Sequence, residues 1–373
     1  MQLVMDVVER NRTWELADLP AGYCAITLKW VFKLKKDEAE AAVYWRGKGG
    51  NALLVGVYID DLVITGAKDD EVEAFKEEMK ATFQMSNLGP LSFYLGIEVP
   101  QDDSGTSLRQ TAYVKRIVEL GGLTDCNPSL TPMEERLKLS HDSTMEEVDA
   151  TEDRRLAGSL RYLIHTRPDL AFAIGYVSRF MQQLTAEHLE AIKRIIRYIT
   201  GTLDYGLHYL GCPSAAHFIG YSDSDHAGDI DTTKSTSRTM LFLGKFLASW
   251  QSVKQQVVAL SSCEAEYIIA TFTSTQAIWL ARLLGDLLGR VAEAVELRVD
   301  SKSTLALVKN PIFHEHSKDI RVKYHFIRGC LEDRRVKANY ISTLDQLTDF
   351  LTKSFRRVKF QVLPSRTGMI KIP

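Results

Sequence analysis

Apolar and polar residues follow two rhythms along this chain, and each change of rhythm marks an element. Leu3 to Glu9 reads as a helix-like start. Trp30, Phe32 and Leu34 then alternate with Lys29, Lys33 and Lys35, the period-two pattern of a strand with one buried face. Leu53–Tyr58 and Leu62–Thr65 are almost wholly apolar and read as buried strands on either side of Asp60 and Asp61. From Asp69 to Phe83 the period lengthens, and Val72, Phe75 and Met79 share one side of a helix. Leu91 to Val99 predicts a strand, Asp102 to Gly105 a turn, Ser107 to Gln110 a return strand and Tyr113 to Leu120 a helix. Met133 to Asp153 is acidic and loop-like, a linker by composition. Three helices follow. Leu156, Leu160, Leu163 and Ile164 share a face, and Pro168 opens the second helix where its missing N–H does no harm. Leu189, Ile192, Ile196 and Ile199 line the third, with Lys193, Arg194 and Arg197 opposite and Gly201 as its stop. That basic face suits either solvent or a phosphate backbone.

The last third changes character. Ile219 to Asp223 is a short strand that ends on an acid and breaks into a polar turn. Met240–Gly244 and Phe246–Trp250 predict an antiparallel pair turning at Gly244-Lys245, with Val257 to Leu260 as a third short strand. Ser261 and Glu264 have capping-box spacing, which leaves Glu266 as the acid free for chemistry, or Glu264 if the pair is reversed. Val295–Val299 predicts a strand ending on Asp300, with Ser301 and Ser303 opening a short helix. Lys318 to Asp333 predicts a longer helix, Lys337 to Ile341 a strand, and Thr343 to Gln346 a second capping box with Asp349 one turn on. Asp223, Glu266, Asp300 and Asp349 thus sit on four separate elements, a pattern suited to hard divalent cations. Asp225 and Asp229 fit turn-forming roles. A calcium loop starting at Asp223 fails, because Lys234 stands at its twelfth position, where a bidentate Glu is required.

Composition narrows the class without naming a function. No apolar run approaches the ~20 residues of a membrane span, and the N-terminus lacks a basic head with an apolar core, so neither a membrane partner nor a signal peptide is predicted. Five scattered cysteines show no metal or disulfide spacing, which fits a reducing compartment. The net charge of −2 conceals an asymmetry: Lys309 to the end holds 14 Lys/Arg against 6 Asp/Glu, a surplus of +8, leaving about −10 elsewhere. Cations for phosphates beside acids for metals fit a nucleic-acid enzyme. His226, His314 and His325 fit packing or surface positions equally well.

Several motifs share one resemblance. Lys29 to Asp37, Val57 to Gly66 with Tyr58-Ile59-Asp60-Asp61, Phe93 to Val99, Gly158 to Leu163, Thr166 to Leu170 and Ala259 to Tyr267 resemble, in order, the C-terminal part of copia-type LTR-retrotransposon Pol polyproteins. The resemblance implies an α/β chain: a ribonuclease H-like mixed sheet with flanking helices, preceded by a reverse-transcriptase palm/thumb remnant and a helical connection. The domains so implied are a fingers fragment at 1–42, palm and thumb remnant at 43–133, acidic linker at 134–153, connection at 154–212, ribonuclease H-like domain at 213–358 and tail at 359–373.

It also implies roles. Asp223, Glu266, Asp300 and Asp349 would be the catalytic, metal-binding acids, holding two Mg²⁺ ions (or Mn²⁺) to hydrolyse RNA in an RNA–DNA hybrid. Tyr58, Asp60 and Asp61 match the polymerase motif, in which adjacent acids place metal ions. Asp37 is joined to Val43 almost directly, however, and no residue matches the family's third palm aspartate, so polymerisation is predicted to be lost. Asp319 and Arg321 stand where the family shows His and Asp. Arg238 replaces a Gly, which predicts strain of roughly 1 kcal/mol if that position has positive φ. An inactive remnant that at most binds nucleic acid is the alternative. Intact Pol copies would be partners, and the location cytoplasmic, in virus-like particles if the element is active, or nuclear.

Overall fold

Short, largely apolar runs build the first sheet. The structure is a computed structural model that describes residues 29–31, 42–47, 52–58, 61–142, 145–146, 150–211, 217–309, 326–351 and 366–372. The predicted helix at Leu3–Glu9, and Asp60, Asp319, Arg321, His314 and His325, lie outside them. Two compact units are formed, one of Met1–Asn87 with Leu287–Gly289 and one of Leu88–Asp286 with Arg290–Pro373.

In the first unit, β1 (Lys29–Val31), β2 (Ala42–Arg46), β3 (Leu53–Tyr58) and β4 (Asp61–Gly66) form one antiparallel sheet in sequential order. Helix α1 (Asp69–Thr82) opens with Asp69, Asp70 and Glu71, acids that complement the partial positive charge of a helix N-terminus. Its predicted face is used: Phe75 is buried, with Val72 and Met79, against Tyr44, Leu53 and Val55.

The second unit begins with a departure from expectation. Instead of one strand over Leu91–Val99, β5 (Phe93–Tyr94) and β6 (Ile97–Glu98) form a hairpin. Leu95 (φ 52°) and Gly96 (φ 76°) both take left-handed backbone, as a two-residue hairpin turn demands. Next, β7 (Gln101–Asp102) turns into β8 (Gly105–Leu108) around the Asp102 carboxylate, which accepts the Ser104 and Gly105 amides at 2.8 and 3.1 Å. Helices α2 (Thr111–Leu120) and α3 (Ala150–Leu163), a 3₁₀ turn at Pro168–Leu170, α4 (Ala171–Val177) and α5 (Ala186–Thr200) then follow. Ile192, Ile196 and Ile199 of α5 are fully buried. On its outer side Arg194 pairs with Glu134 and Arg197 with Glu190, so both cations serve partly exposed ion pairs.

Strand β9 (Tyr205–Tyr209) pairs with β8, and leads to β10 (Phe218–Ser224), β11 (Thr236–Leu243) and β12 (Phe246–Lys254), the last two meeting at the predicted hairpin. After α6 (Ser262–Leu288) come β13 (Val295–Val299), α7 (Lys302–Lys309), α8 (Phe326–Glu332), β14 (Val336–Tyr340), a 3₁₀ turn at Leu347–Leu351, and β15 (Met369–Lys371), which pairs with β9. The central sheet has the order β12-β11-β10-β13-β14, with β10, β13 and β14 parallel and the other neighbours antiparallel. This is the mixed α/β sheet with flanking helices that the resemblance implies. Val257 to Leu260 is not a strand; Ala259 is buried while Val258 and Leu260 face solvent, because the chain must turn there into α6. Leu347–Leu351 is a short 3₁₀ turn rather than the α-helix a Thr343 capping box implies, since Ser342, not Thr343, closes the turn before it through the Leu344 amide.

Both faces of this sheet are covered. Tyr267 and Ile268 of α6 pack with Leu297, Leu305 and Ile327 on one face. Tyr221, Met240, Phe242 and Leu247 on the other join Leu160, Leu163 and Ile174 of α3 and α4 in a single core. Trp250 seals that seam by donating its indole N–H to the Ile164 carbonyl at 3.0 Å. Helix α6 approaches β10 closely because position 220 has no side chain. A Cβ on Gly220 would lie 3.0 Å from Leu241 and 3.1 Å from Thr273. Gly220→Val should therefore lower stability by about 1–3 kcal/mol through overpacking, visible as a lower urea midpoint.

Candidate metal centre

Strands β10 and β13 are adjacent and parallel, with Ser222 opposite Val299, so the next residues, Asp223 still within β10 and Asp300 just past β13, come side by side at the carboxyl edge of the sheet. Glu266 reaches the same place from the start of α6. One carboxylate oxygen from each of Asp223, Glu266 and Asp300 lies within 4.8 Å of the others. Asp223 and Glu266 are buried and Asp300 is half-buried.

Glu266 Oε1 accepts the Ser224 amide at 2.9 Å, whereas Oε2 is buried and accepts no hydrogen bond from a described residue. Burial first, then the charges of Asp223 and Asp300, push the Glu266 carboxyl up to about 9 against the opposing Ser224 amide. A buried carboxylate oxygen lacking a donor, between two further carboxylates, is a ready ligand for a hard cation, and the donor set suits Mg²⁺ or Mn²⁺. Glu264, two residues earlier, is engaged elsewhere. Its Oε2 accepts the Leu260 amide at 2.7 Å, while its own amide donates to Ser261 Oγ at 3.1 Å.

Asp349 lies on the 3₁₀ turn at Leu347–Leu351, and its side chain is outside the described residues. The turn itself is anchored beside the centre. Leu347 and Leu351 are buried in the shared core, and Gln346 Nε2 donates to the Ser222 carbonyl at 2.9 Å.

Arg238 is the main surprise. The Gly-to-Arg exchange predicts a strained turn, yet Arg238 lies within β11, outside the left-handed region, directly opposite Asp223 in the ladder. Its guanidinium is 2% exposed and donates from one nitrogen to Asp223 Oδ2 and from another to Asp225 Oδ2, each at 2.9 Å. The strand needs no positive φ there, so the expected strain does not arise. Sequence reasoning missed this contact, because the hairpin at Gly244-Lys245 sets Arg238 against Ser252, while its pairing with Asp223 belongs to the separate β10–β11 register.

Asp225 and Asp229 organise the loop between β10 and β11. Asp225 Oδ1 accepts the Thr236 amide at 2.8 Å. Asp229 accepts from Arg179 at 3.0 Å and Lys254 at 3.2 Å, tying the loop to the segment after α4 and to β12. Burial raises the Asp229 carboxyl, but the Thr232 hydroxyl and amide together with Lys254 outweigh it and hold it at about 2.

In the first unit, Tyr58 is half-buried and faces the exposed Asp61 across the β3–β4 hairpin. Among the described residues no second centre of three metal-ligating side chains forms, and Asp61 joins none.

Residues 34–135 match the family model described as reverse transcriptase (RNA-dependent DNA polymerase). The chain is 35% identical over 335 residues to the retrovirus-related Pol polyprotein from transposon RE1 of Arabidopsis thaliana, covering 90% of this chain and 23% of that protein. It is 36% identical over 344 residues to the Pol polyprotein from transposon TNT 1-94 of Nicotiana tabacum, covering 90% and 26%. The chain therefore spans about a quarter of the length of these relatives. Among solved structures, the N-terminal RNase H domain of a Mycobacterium tuberculosis protein, fused to maltose binding protein, aligns with 12% identity and a TM-score of 0.26, over 41% of this chain and 96% of that one.

Proposed function

From the membership of this chain in the copia-type retrotransposon Pol polyprotein family, with residues 34–135 matching reverse transcriptase, we propose that it hydrolyses the RNA strand of RNA–DNA hybrids with the aid of a divalent cation. The observation that carries this reading is the convergence of Asp223, Glu266 and Asp300, with a buried Glu266 oxygen awaiting a partner. A bound divalent cation supplies Lewis acidity, lowering the pKa of water and balancing charge at the scissile phosphate.

The protein's part is positioning. Asp223 and Asp300 are fixed by adjacent parallel strands and Glu266 by a helix seated on the same sheet, so the ligands need little reorganisation. With its pKa near 9, Glu266 holds a proton at neutral pH before a cation arrives, and binding must displace it. Asp349 would complete the ligand set from the turn anchored beside β10. Hybrid recognition would rest on backbone and 2′-hydroxyl contacts, not on base edges.

Polymerase activity is inferred to be absent, since two carboxylates adjacent in sequence, Asp60 and Asp61, cannot alone enclose two ions and orient a nucleotide. No helix among the described residues is long and apolar enough to cross a membrane.

The test is cleavage of a labelled RNA–DNA hybrid by the purified chain with and without Mg²⁺. Mg²⁺-dependent cutting that falls by at least about 10³-fold in Asp223→Asn and Asp300→Asn is expected. Equal cutting by wild type and both variants would reject the assignment. In the same preparation, primer extension on an RNA template should yield no product.

A further inference from the structure

Arg238 alters the centre it touches. A two-cation site needs a carboxylate between the ions that gives one oxygen to each. Asp223, which meets Glu266 and Asp300 here, could play that part only with both oxygens available, but its Oδ2 already accepts a hydrogen bond of 2.9 Å from Arg238. A cation bound to that oxygen at the ~2.0–2.1 Å typical of Mg²⁺ would lie within a few ångströms of a guanidinium of the same sign, in a site largely closed to water.

The guanidinium cannot easily swing aside. Arg238 is 2% exposed, sits in the middle of a three-strand ladder opposite Asp223 on one side and Ser252 on the other, and is held at its second nitrogen by Asp225. Arginine stays charged at any working pH, so this cation is permanent.

We propose that Arg238 serves as a built-in cation of this centre, occupying the side of Asp223 that a second divalent ion would need, so that the site takes one divalent ion instead of two. The proposal rests on the reading of the centre as a divalent-cation site. It makes Arg238 a specificity-determining residue for metal stoichiometry. The remaining Asp223 oxygen, Glu266 and Asp300 are left to hold the single ion.

The experiment is a Mn²⁺ titration of the full chain, followed by calorimetry for stoichiometry and by electron paramagnetic resonance for exchange-coupled ion pairs. Wild type should bind one Mn²⁺ and show no coupled-pair signal. Arg238→Gln, which keeps a polar side chain but removes the charge, should bind two and develop that signal. Arg238→Lys, which keeps the charge, should stay at one. Circular dichroism melts establish that each variant folds; if Arg238→Gln does not, the wild-type count decides. Two ions in wild type, or one in a folded Arg238→Gln, would overturn the proposal while leaving metal-dependent cleavage intact. No Mn²⁺ binding by any of the three would instead remove the cation-site reading on which it rests.

Discussion

Glu266→Gln should make the cation-free protein more stable at pH 8 while removing Mg²⁺-dependent cleavage. The two effects have one origin. In the folded chain burial and the charges of Asp223 and Asp300 hold the Glu266 pKa at about 9, against an ordinary value of 4.5. Between those values the unfolded chain has released a proton that the folded chain still binds. Stability therefore falls as pH rises from about 4.5 to about 9, by up to about 1.4 kcal/mol per pH unit. Gln has no proton to lose and keeps an oxygen to accept the Ser224 amide, so this slope disappears. Urea melts in EDTA across pH 5 to 9 read it directly: a falling midpoint for wild type and a flatter one for Glu266→Gln. Added Mg²⁺ should restore wild-type stability at pH 8 and do little for the variant, because a carboxylate ligand is gone. Identical slopes for the two proteins would show that Glu266 is ionised without a cation.

The second large effect lies away from the centre. Arg167 and Asp169 are almost fully buried and form a two-pronged ion pair at 2.9 and 2.7 Å, flanking Pro168 at the start of its 3₁₀ turn. Arg167 also donates to the Thr202 carbonyl and hydroxyl at 2.9 and 2.8 Å, and the Tyr198 hydroxyl donates to Asp169 Oδ2 at 2.8 Å. Removing one partner strands a buried charge, so Arg167→Met should destabilise by about 3–5 kcal/mol. The double change Arg167→Met with Asp169→Leu removes both charges and should recover much of that loss. Urea unfolding of the two single variants and the double variant gives the coupling, and purely additive losses would mean the pair is not a unit. This network gives a physical reason for the Thr-Arg-Pro-Asp-Leu motif at 166–170: it ties the 3₁₀ turn to Thr202 and to Tyr198 of α5.

Legibility along the chain followed the range of the interactions involved. The faces of α1, α3 and α5 could be read from spacing, because helical periodicity is local and Phe75, Leu160 and Ile196 are buried as that periodicity requires. The local engagement of Glu264 could be read by the same logic, since a capping contact spans only a few residues. The hairpin hidden in Leu91–Val99 was not legible, because Leu95 is a poor advertisement for positive φ and only Gly96 beside it hinted at a turn. Val257 to Leu260 failed as a strand for the converse reason: its propensity is high, but the chain had to turn there into α6.

What the order of residues determined by itself is the set of elements and the acids at their ends, since both depend on near neighbours and on the apolar period. Tertiary structure alone decided that Asp223 and Asp300 stand side by side, because parallel register joins residues far apart in the chain. It alone also decided that Arg238 is a partner of Asp223. A charged side chain in a buried strand must find an opposite charge across the ladder, and the identity of that neighbour exists only once the strands have paired.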